Sequence, residues 1–127
     1  KYGINFNQYL KKNKNLKVIL QIEHVTAIEN LEKILSVKNI DGTFIGPYDL
    51  SGSINQPGNL NSKKMKKLIN IYEKISIRKK KPMGFHQVKI NFNELNLKIK
   101  KGYKYICIGT DLEFLGSAYR NTMKKFK

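Results

Sequence analysis

Short apolar runs alternate with amphipathic stretches along this chain, and two of those runs lead directly to an acidic residue. Val18-Ile19-Leu20-Gln21-Ile22 closes on Glu23, and Gly42-Thr43-Phe44-Ile45-Gly46-Pro47-Tyr48 leads to Asp49. Runs of this length separated by helical patterns read as parallel strands joined by right-handed crossovers, an α/β architecture. Both carboxylates then stand at the carboxyl-end rim of one sheet, where α/β enzymes bind metals and substrates. A carboxylate after a strand also serves as a helix cap or as a solvated loop residue. A metal site is the leading reading, and the neighbouring residues have to support it.

The alternation continues to the end of the chain. Lys1 to Lys14 holds Ile4, Phe6, Tyr9 and Leu10, too few apolar positions to define a helix. The first firm strand spans Leu16 to Ile22. Val25, Ile28, Leu31, Ile34 and Leu35 recur at three- and four-residue steps and predict one helix over Val25 to Val37, with Thr26 and Glu29 in capping-box spacing. Ile40 to Ile45 is the second strand, stopped at Gly46-Pro47 because proline cannot continue a central ladder. Ser51 to Ser62, rich in Gly, Ser, Asn and Pro, reads as an irregular loop. A helix over Lys63 to Lys79, a short strand at Pro82 to His86, a weak helix marked by Phe92, Leu95, Leu97 and Ile99, and a strand over Tyr103 to Ile108 follow. Leu112 to Phe126 is expected to be a final helix packing Leu115, Tyr119, Met123 and Phe126.

At 127 residues the chain is long enough for one modest core, and no linker divides it. No stretch approaches the ~18 consecutive apolar residues of a membrane span, and the opening residues carry no signal-peptide hydrophobic region. Cys107, the one cysteine, has no internal disulfide partner and is expected as a buried strand residue in a reducing, cytoplasmic setting. The net charge of +16 raises nucleic acid as a partner. Its distribution argues against that: the lysines are spread through helices and connections, only Arg78 and Arg120 are arginine, and fourteen asparagines accompany them. Bidentate phosphate and guanine contacts favour arginine. The basic bias therefore reads as compositional, and a nucleic-acid-binding domain would need a contiguous lysine face and salt-sensitive binding.

Four sets of residues carry a family resemblance. Gln21-Ile22-Glu23, the stretch from Val25 to Leu35, Ile40-Asp41-Gly42-Thr43-Phe44-Ile45-Gly46-Pro47-Tyr48-Asp49-Leu50-Ser51 and Ile108-Gly109-Thr110-Asp111-Leu112 resemble the HpcH/HpaI aldolase family, metal-dependent pyruvate aldolases related to the citrate lyase beta subunit. The G-P-x-D-L-S segment with the upstream Q-I-E is the specific part. The likeness runs in order over nearly the whole chain and falls on the second half of the family fold. It implies the carboxy-terminal half of a (β/α)₈ TIM barrel, with about four parallel βα units in a single partial domain spanning residues 1–127 and the amino-terminal half absent.

The resemblance also implies chemistry. The family's metal-binding glutamate and aspartate fall on Glu23 and Asp49, and hard oxygen ligands suit Mg²⁺ or Mn²⁺. Chelation of a keto acid's carbonyl and carboxylate oxygens makes its methyl protons removable. The implied reaction is class II aldol cleavage of a 4-hydroxy-2-oxo acid or a 2-keto-3-deoxy sugar acid to pyruvate and an aldehyde, in a homo-oligomeric enzyme. Gly46, Pro47, Asp49, Leu50 and Ser51 are the expected substrate-binding residues. Gly46 allows close backbone approach, Pro47 stiffens the turn, and N–H groups near Asp49 to Ser51 face the pyruvate carboxylate if a helical turn begins there. Equally, Gly-Pro could do no more than end the strand. The family's general-base histidine and pyruvate-clamping arginine belong to earlier strands that this sequence does not contain, so the segment is expected to be inactive alone. His86 is the candidate catalytic or acceptor-pocket residue here. His24 has a weaker claim as a neighbour of the metal ligand, and Asp111 reads as a rim or cap residue. The alternative is a non-catalytic remnant or assembly piece of an aldolase-like barrel.

Overall fold

The computed structural model describes residues 16–126, so the apolar set at Ile4, Phe6, Tyr9 and Leu10 lies outside the described residues. Four strands, β1 (Ile19–Ile22), β2 (Gly42–Ile45), β3 (Met83–Gln87) and β4 (Tyr105–Ile108), form one sheet in sequence order. All three pairings are parallel, with Ile19 opposite Gly42, Phe44 opposite Gly84 and His86 opposite Cys107. Helices fill the crossovers: α1 (Val25–Glu29), α2 (Leu31–Ser36), α3 (Pro47–Ser53), α4 (Lys63–Arg78), α5 (Phe92–Lys100) and, after β4, α6 (Asp111–Met123) with a 3₁₀ turn at Lys124–Phe126. The expected order of elements is present, each strand one to three residues shorter at its start.

The period-two alternation of strand side chains divides the sheet into two faces. Ile22, Ile45, Met83 and Phe85 point to the helix layer and are buried with Ile28, Leu31, Leu35, Leu50, Met65, Leu68 and Tyr72. Tyr72 of α4 binds this layer to the two central strands. Its hydroxyl oxygen accepts from Thr43 Oγ1 at 3.1 Å and Gly84 N at 3.2 Å, and its O–H is within reach of the Thr43 and Gly84 carbonyls. On the opposite face Phe44 lies against β3, so close that a Cβ on Gly84 would meet its ring at 2.6 Å. Glycine is required there by space.

Charged groups are buried at the amino end of the sheet. Glu73 of α4 accepts hydrogen bonds from Tyr103 Oη at 2.9 Å and from Lys101 Nζ, while the Lys98 ammonium sits 4.2 Å from the Phe85 ring centre and 3.7 Å from Glu73. Burial, followed by the Glu73 charge, pushes the Tyr103 phenol far above its ordinary range; burial lowers Lys98. At the entry to β1 and β2, Asp41 accepts from Val18 N and Lys17 Nζ, both at 2.9 Å. The Val18 bond first, and Lys17 next, hold its carboxyl below the usual carboxylate range.

Four expectations are corrected. The helix over Val25 to Val37 is broken at Asn30, and His24 caps it in place of Thr26: His24 Nδ1 accepts from Thr26 N. Helix α3 takes up Ser51 to Ser53, expected as loop, because Pro47 is pre-set for the first helical position. Cys107 is exposed, since alternation turns it to the sheet face that no helix covers. In α6 no residue is buried: Leu115, Tyr119 and Met123 are exposed, as is Phe126 in the following turn. Each crossover helix lies over two neighbouring strands; α6 follows the edge strand β4, and no strand beyond it exists among the described residues to meet its apolar stripe.

Two outcomes follow for stability. Tyr72→Phe leaves the buried Thr43 hydroxyl without its Tyr72 partner, and should cost about 1–3 kcal/mol in urea unfolding, whereas Tyr119→Phe on exposed α6 should change it by no more than about 0.5 kcal/mol. The depressed Asp41 carboxyl contributes stability above its unfolded value of 3.8 that is lost as pH falls through its lower folded value. An acid titration followed by circular dichroism should therefore show a shallower loss in Asp41→Asn than in the parent.

Candidate functional site

The rim site is built by the β1–β2 register carried past the strand ends. Ile22 pairs with Ile45, and Gly46 N then donates to Ile22 O at 3.0 Å, so the first residues beyond both strands stay side by side. Pro47 starts α3 at once, with Gly46 O accepting from Leu50 N, and this turn swings Asp49 back over the sheet end. Ser53 Oγ accepts from Val25 N at 3.0 Å and donates to Leu50 O, tying the segment after Glu23 to the same helix.

Glu23 and Asp49 converge over Gly46. A Cβ at position 46 would lie 3.4 Å from Glu23 Cβ, 3.7 Å from Asp49 Oδ2 and 3.0 Å from Gln21 Nε2. The φ of Gly46 is −96°, accessible to any residue, so the glycine is there for room, which the Gln21 side-chain amide limits most closely. Both side chains open into a rim cavity of about 550 Å³, which His24, Tyr48 and Gly58 also line. Among the described residues neither acid has an ion-pair or hydrogen-bond partner on its side chain, in a chain of net charge +16.

This arrangement fits a hard divalent cation in kind. Two acidic side chains line one rim cavity, and Mg²⁺ is commonly held by one or two carboxylates with water and substrate completing its octahedron. No cluster of three His, Cys, Asp or Glu side chains exists among the described residues, so the protein donors here are the two acids.

The other expected site residues divide by burial. Gly46 and Pro47 are buried parts of the turn. The side chains of Leu50 and Ser51 are fully buried, so what these positions offer a ligand is backbone. Leu50 belongs to the core, and Ser51 Oγ donates to Tyr48 O at 2.6 Å and accepts from Gly58 N at 2.9 Å, bracing the cavity wall. The free donors of the helical turn are Tyr48 N and Asp49 N, because Pro47 has no N–H and Leu50 N is taken by Gly46. His86 lies one strand away and does not line the cavity; its Nε2–H donates to Gly109 O at 3.1 Å, leaving Nδ1 as its free nitrogen. Asp111 begins α6 beside the capping Thr110, with its carboxylate on Leu112 N. Gln21 and Tyr48 were not singled out from the sequence. Gln21 was legible, standing two residues before Glu23 and so on the same strand face.

Residues 3–118 match the model of the HpcH/HpaI aldolase/citrate lyase family. The chain is 32% identical over 131 residues to 2-keto-3-deoxy-L-rhamnonate aldolase of Shigella dysenteriae serotype 1 (strain Sd197), and 30% identical over 127 residues to the protein of the same name from Escherichia coli O6:K15:H31. Each match covers 100% of this chain and 47% of the relative. Among solved structures, an HpcH/HpaI aldolase from Desulfitobacterium hafniense DCB-2 superposes with a TM-score of 0.82 at 22% identity, over 98% of this chain and 48% of that one. A family protein from Burkholderia cenocepacia J2315 gives 0.83 at 20% identity, over 96% and 47%. The chain thus spans about half the length of the curated relatives it matches, and its four parallel βα units are half of their TIM barrel. It belongs to the HpcH/HpaI aldolase/citrate lyase family.

Proposed function

We propose that this chain supplies the metal-binding half of a class II aldolase that cleaves a 4-hydroxy-2-oxo acid or 2-keto-3-deoxy sugar acid to pyruvate and an aldehyde. The observation that carries this reading is that Glu23 and Asp49, without side-chain partners among the described residues, flank Gly46 and line one rim cavity. Mg²⁺ or Mn²⁺, when bound there, would supply Lewis acidity toward the keto acid's oxygens. Glu23 and Asp49 would each give one carboxylate to the ion. Gly46 keeps the space between them clear, and Pro47 fixes the turn that aims Asp49. Tyr48 N and Asp49 N are the donors available to the pyruvyl carboxylate. His86, free at Nδ1 only, is the imidazole on the inner face for proton transfer on the acceptor side.

Proton removal from a pyruvyl methyl group needs a positioned base and a clamp on the carboxylate. Neither arginine of this chain stands on the sheet face: Arg78 lies on α4, paired with Glu32, and Arg120 lies on α6, paired with Glu113. The base and clamp therefore fall to the half that the relatives have beyond this chain. The second reading is a non-catalytic remnant or assembly piece of an aldolase-like barrel. Among the described residues no helix is long and apolar enough to cross a membrane.

Two experiments test the reading. Isothermal calorimetry with Mg²⁺ and Mn²⁺ should show binding that Glu23→Ala or Asp49→Ala abolishes; heats unchanged in both variants would remove the metal site from these residues. The 127-residue chain alone should release no measurable pyruvate from 2-keto-3-deoxy-L-rhamnonate with added metal. Fused behind the first half of the Shigella dysenteriae relative, it should do so, and Asp49→Ala or a chelator should lower the rate at least about 100-fold, a magnitude expected when electrostatic stabilisation at the reacting oxygens is lost. A fusion that folds and binds metal without turnover favours the remnant.

A further inference from the structure

Helix α5 buries a cation and no apolar side chain. As the crossover between β3 and β4 it joins two strands that are both present and paired, which α6 does not. Yet Lys98 is its one buried residue; Leu95 is half-buried, and Phe92, Leu97 and Ile99 are exposed. The crossover helix before it, α4, buries Met65, Leu68 and Tyr72. What fastens α5 is polar and stands at its two ends. At the start, Asn91 N donates to Oε1 of the buried Gln87 at 3.2 Å, and Gln87 Nε2 donates to Asn91 O at 3.2 Å and to Glu94 at 3.3 Å. At the end, Lys98 and the capping Lys101 both reach Glu73 of α4, at 3.7 and 2.9 Å. The Lys98 ammonium lies over the rings of Phe85 and Tyr103, 4.2 and 4.9 Å from their centres.

Apolar burial holds a helix whatever the charge of its neighbours. A buried cation holds one only while it is matched: the attraction of Glu73 and of the two rings offsets the desolvation of the ammonium, and without the carboxylate the same ammonium favours leaving for water. Segments with few buried apolar side chains open locally before the rest of a fold does. We infer that α5 is a charge-latched flap, which leaves β3 and β4 as one unit over residues 91–101 when the match between Glu73 and Lys98 is lost, while α4 and the sheet stay folded. Its hinge follows His86 and Gln87 directly, so release of α5 also frees the rim segment at residues 88–90.

Amide hydrogen exchange of the 127-residue chain, read by NMR, tests the flap. In the parent the α5 amides should exchange through an opening at least about tenfold more populated than that of the α4 amides; one shared opening for both helices overturns the flap. Glu73→Gln keeps the shape of the side chain and removes its charge. It should accelerate α5 exchange at least about tenfold, because the Lys98 ammonium is left buried and unmatched. Lys98→Met deletes that ammonium and leaves an unbranched apolar chain against the two rings. Adding Glu73→Gln to Lys98→Met should therefore change α5 exchange by no more than about threefold, a coupling that a structural role of Glu73 alone does not produce. Equal acceleration in both backgrounds, or none in either, overturns charge as the latch. If Glu73→Gln does not fold in the parent background, Glu73→Asp, which draws the carboxylate back by one methylene, takes its place with the same expected and overturning results.

Discussion

The hydrogen bond from Gly46 N to the Ile22 carbonyl holds the rim together. Parallel strands that end in register would ordinarily release their chains in separate directions, but this bond keeps them adjacent for one residue more. That residue is enough. Glu23 follows one strand directly, while the proline-initiated turn after Gly46 brings Asp49 back over the other. The Ser53 hydroxyl closes the arrangement from the helix side by taking the first free N–H beyond His24. Two acids from distant parts of the sequence come to share one space through main-chain geometry and one missing Cβ.

The strand order and the two acids were legible in the sequence because strand and helix periods are local properties and parallel connection follows from them. The resemblance carried by Q-I-E and G-P-x-D-L-S supplied the half-barrel frame. What failed did so for nonlocal reasons. The apolar stripe of α6 has the spacing of a packed helix, but packing needs a strand beyond β4. Cys107 sits in an apolar run, but its burial depends on what faces the inner side of the sheet. The His24 cap was hidden because Thr26 and Glu29 offered the more familiar spacing, and only the fold could show that helix α1 begins directly after the rim.

Charge is partitioned between the two ends of the sheet. At the amino end Glu73 is surrounded by Lys98, Lys101 and the Tyr103 hydroxyl, and the ammonium of Lys98 rests against aromatic rings. Every charge there has a partner, which is what burial demands. At the carboxyl end Glu23 and Asp49 stay open and unpaired among the described residues in an otherwise lysine-rich chain. The same residue chemistry thus serves cohesion at one end and stays open at the other.

The contact between Phe44 and Gly84 has a consequence for how such sequences can drift. The two are opposite each other on β2 and β3, and the ring of one fills the volume that a side chain on the other would need. Neither position can enlarge alone, so the pair is inherited as a single volume: any side chain gained at 84 must be matched by atoms given up at 44. Substitution at either site then follows a path through two coordinated changes, and the two positions should vary together across lineages.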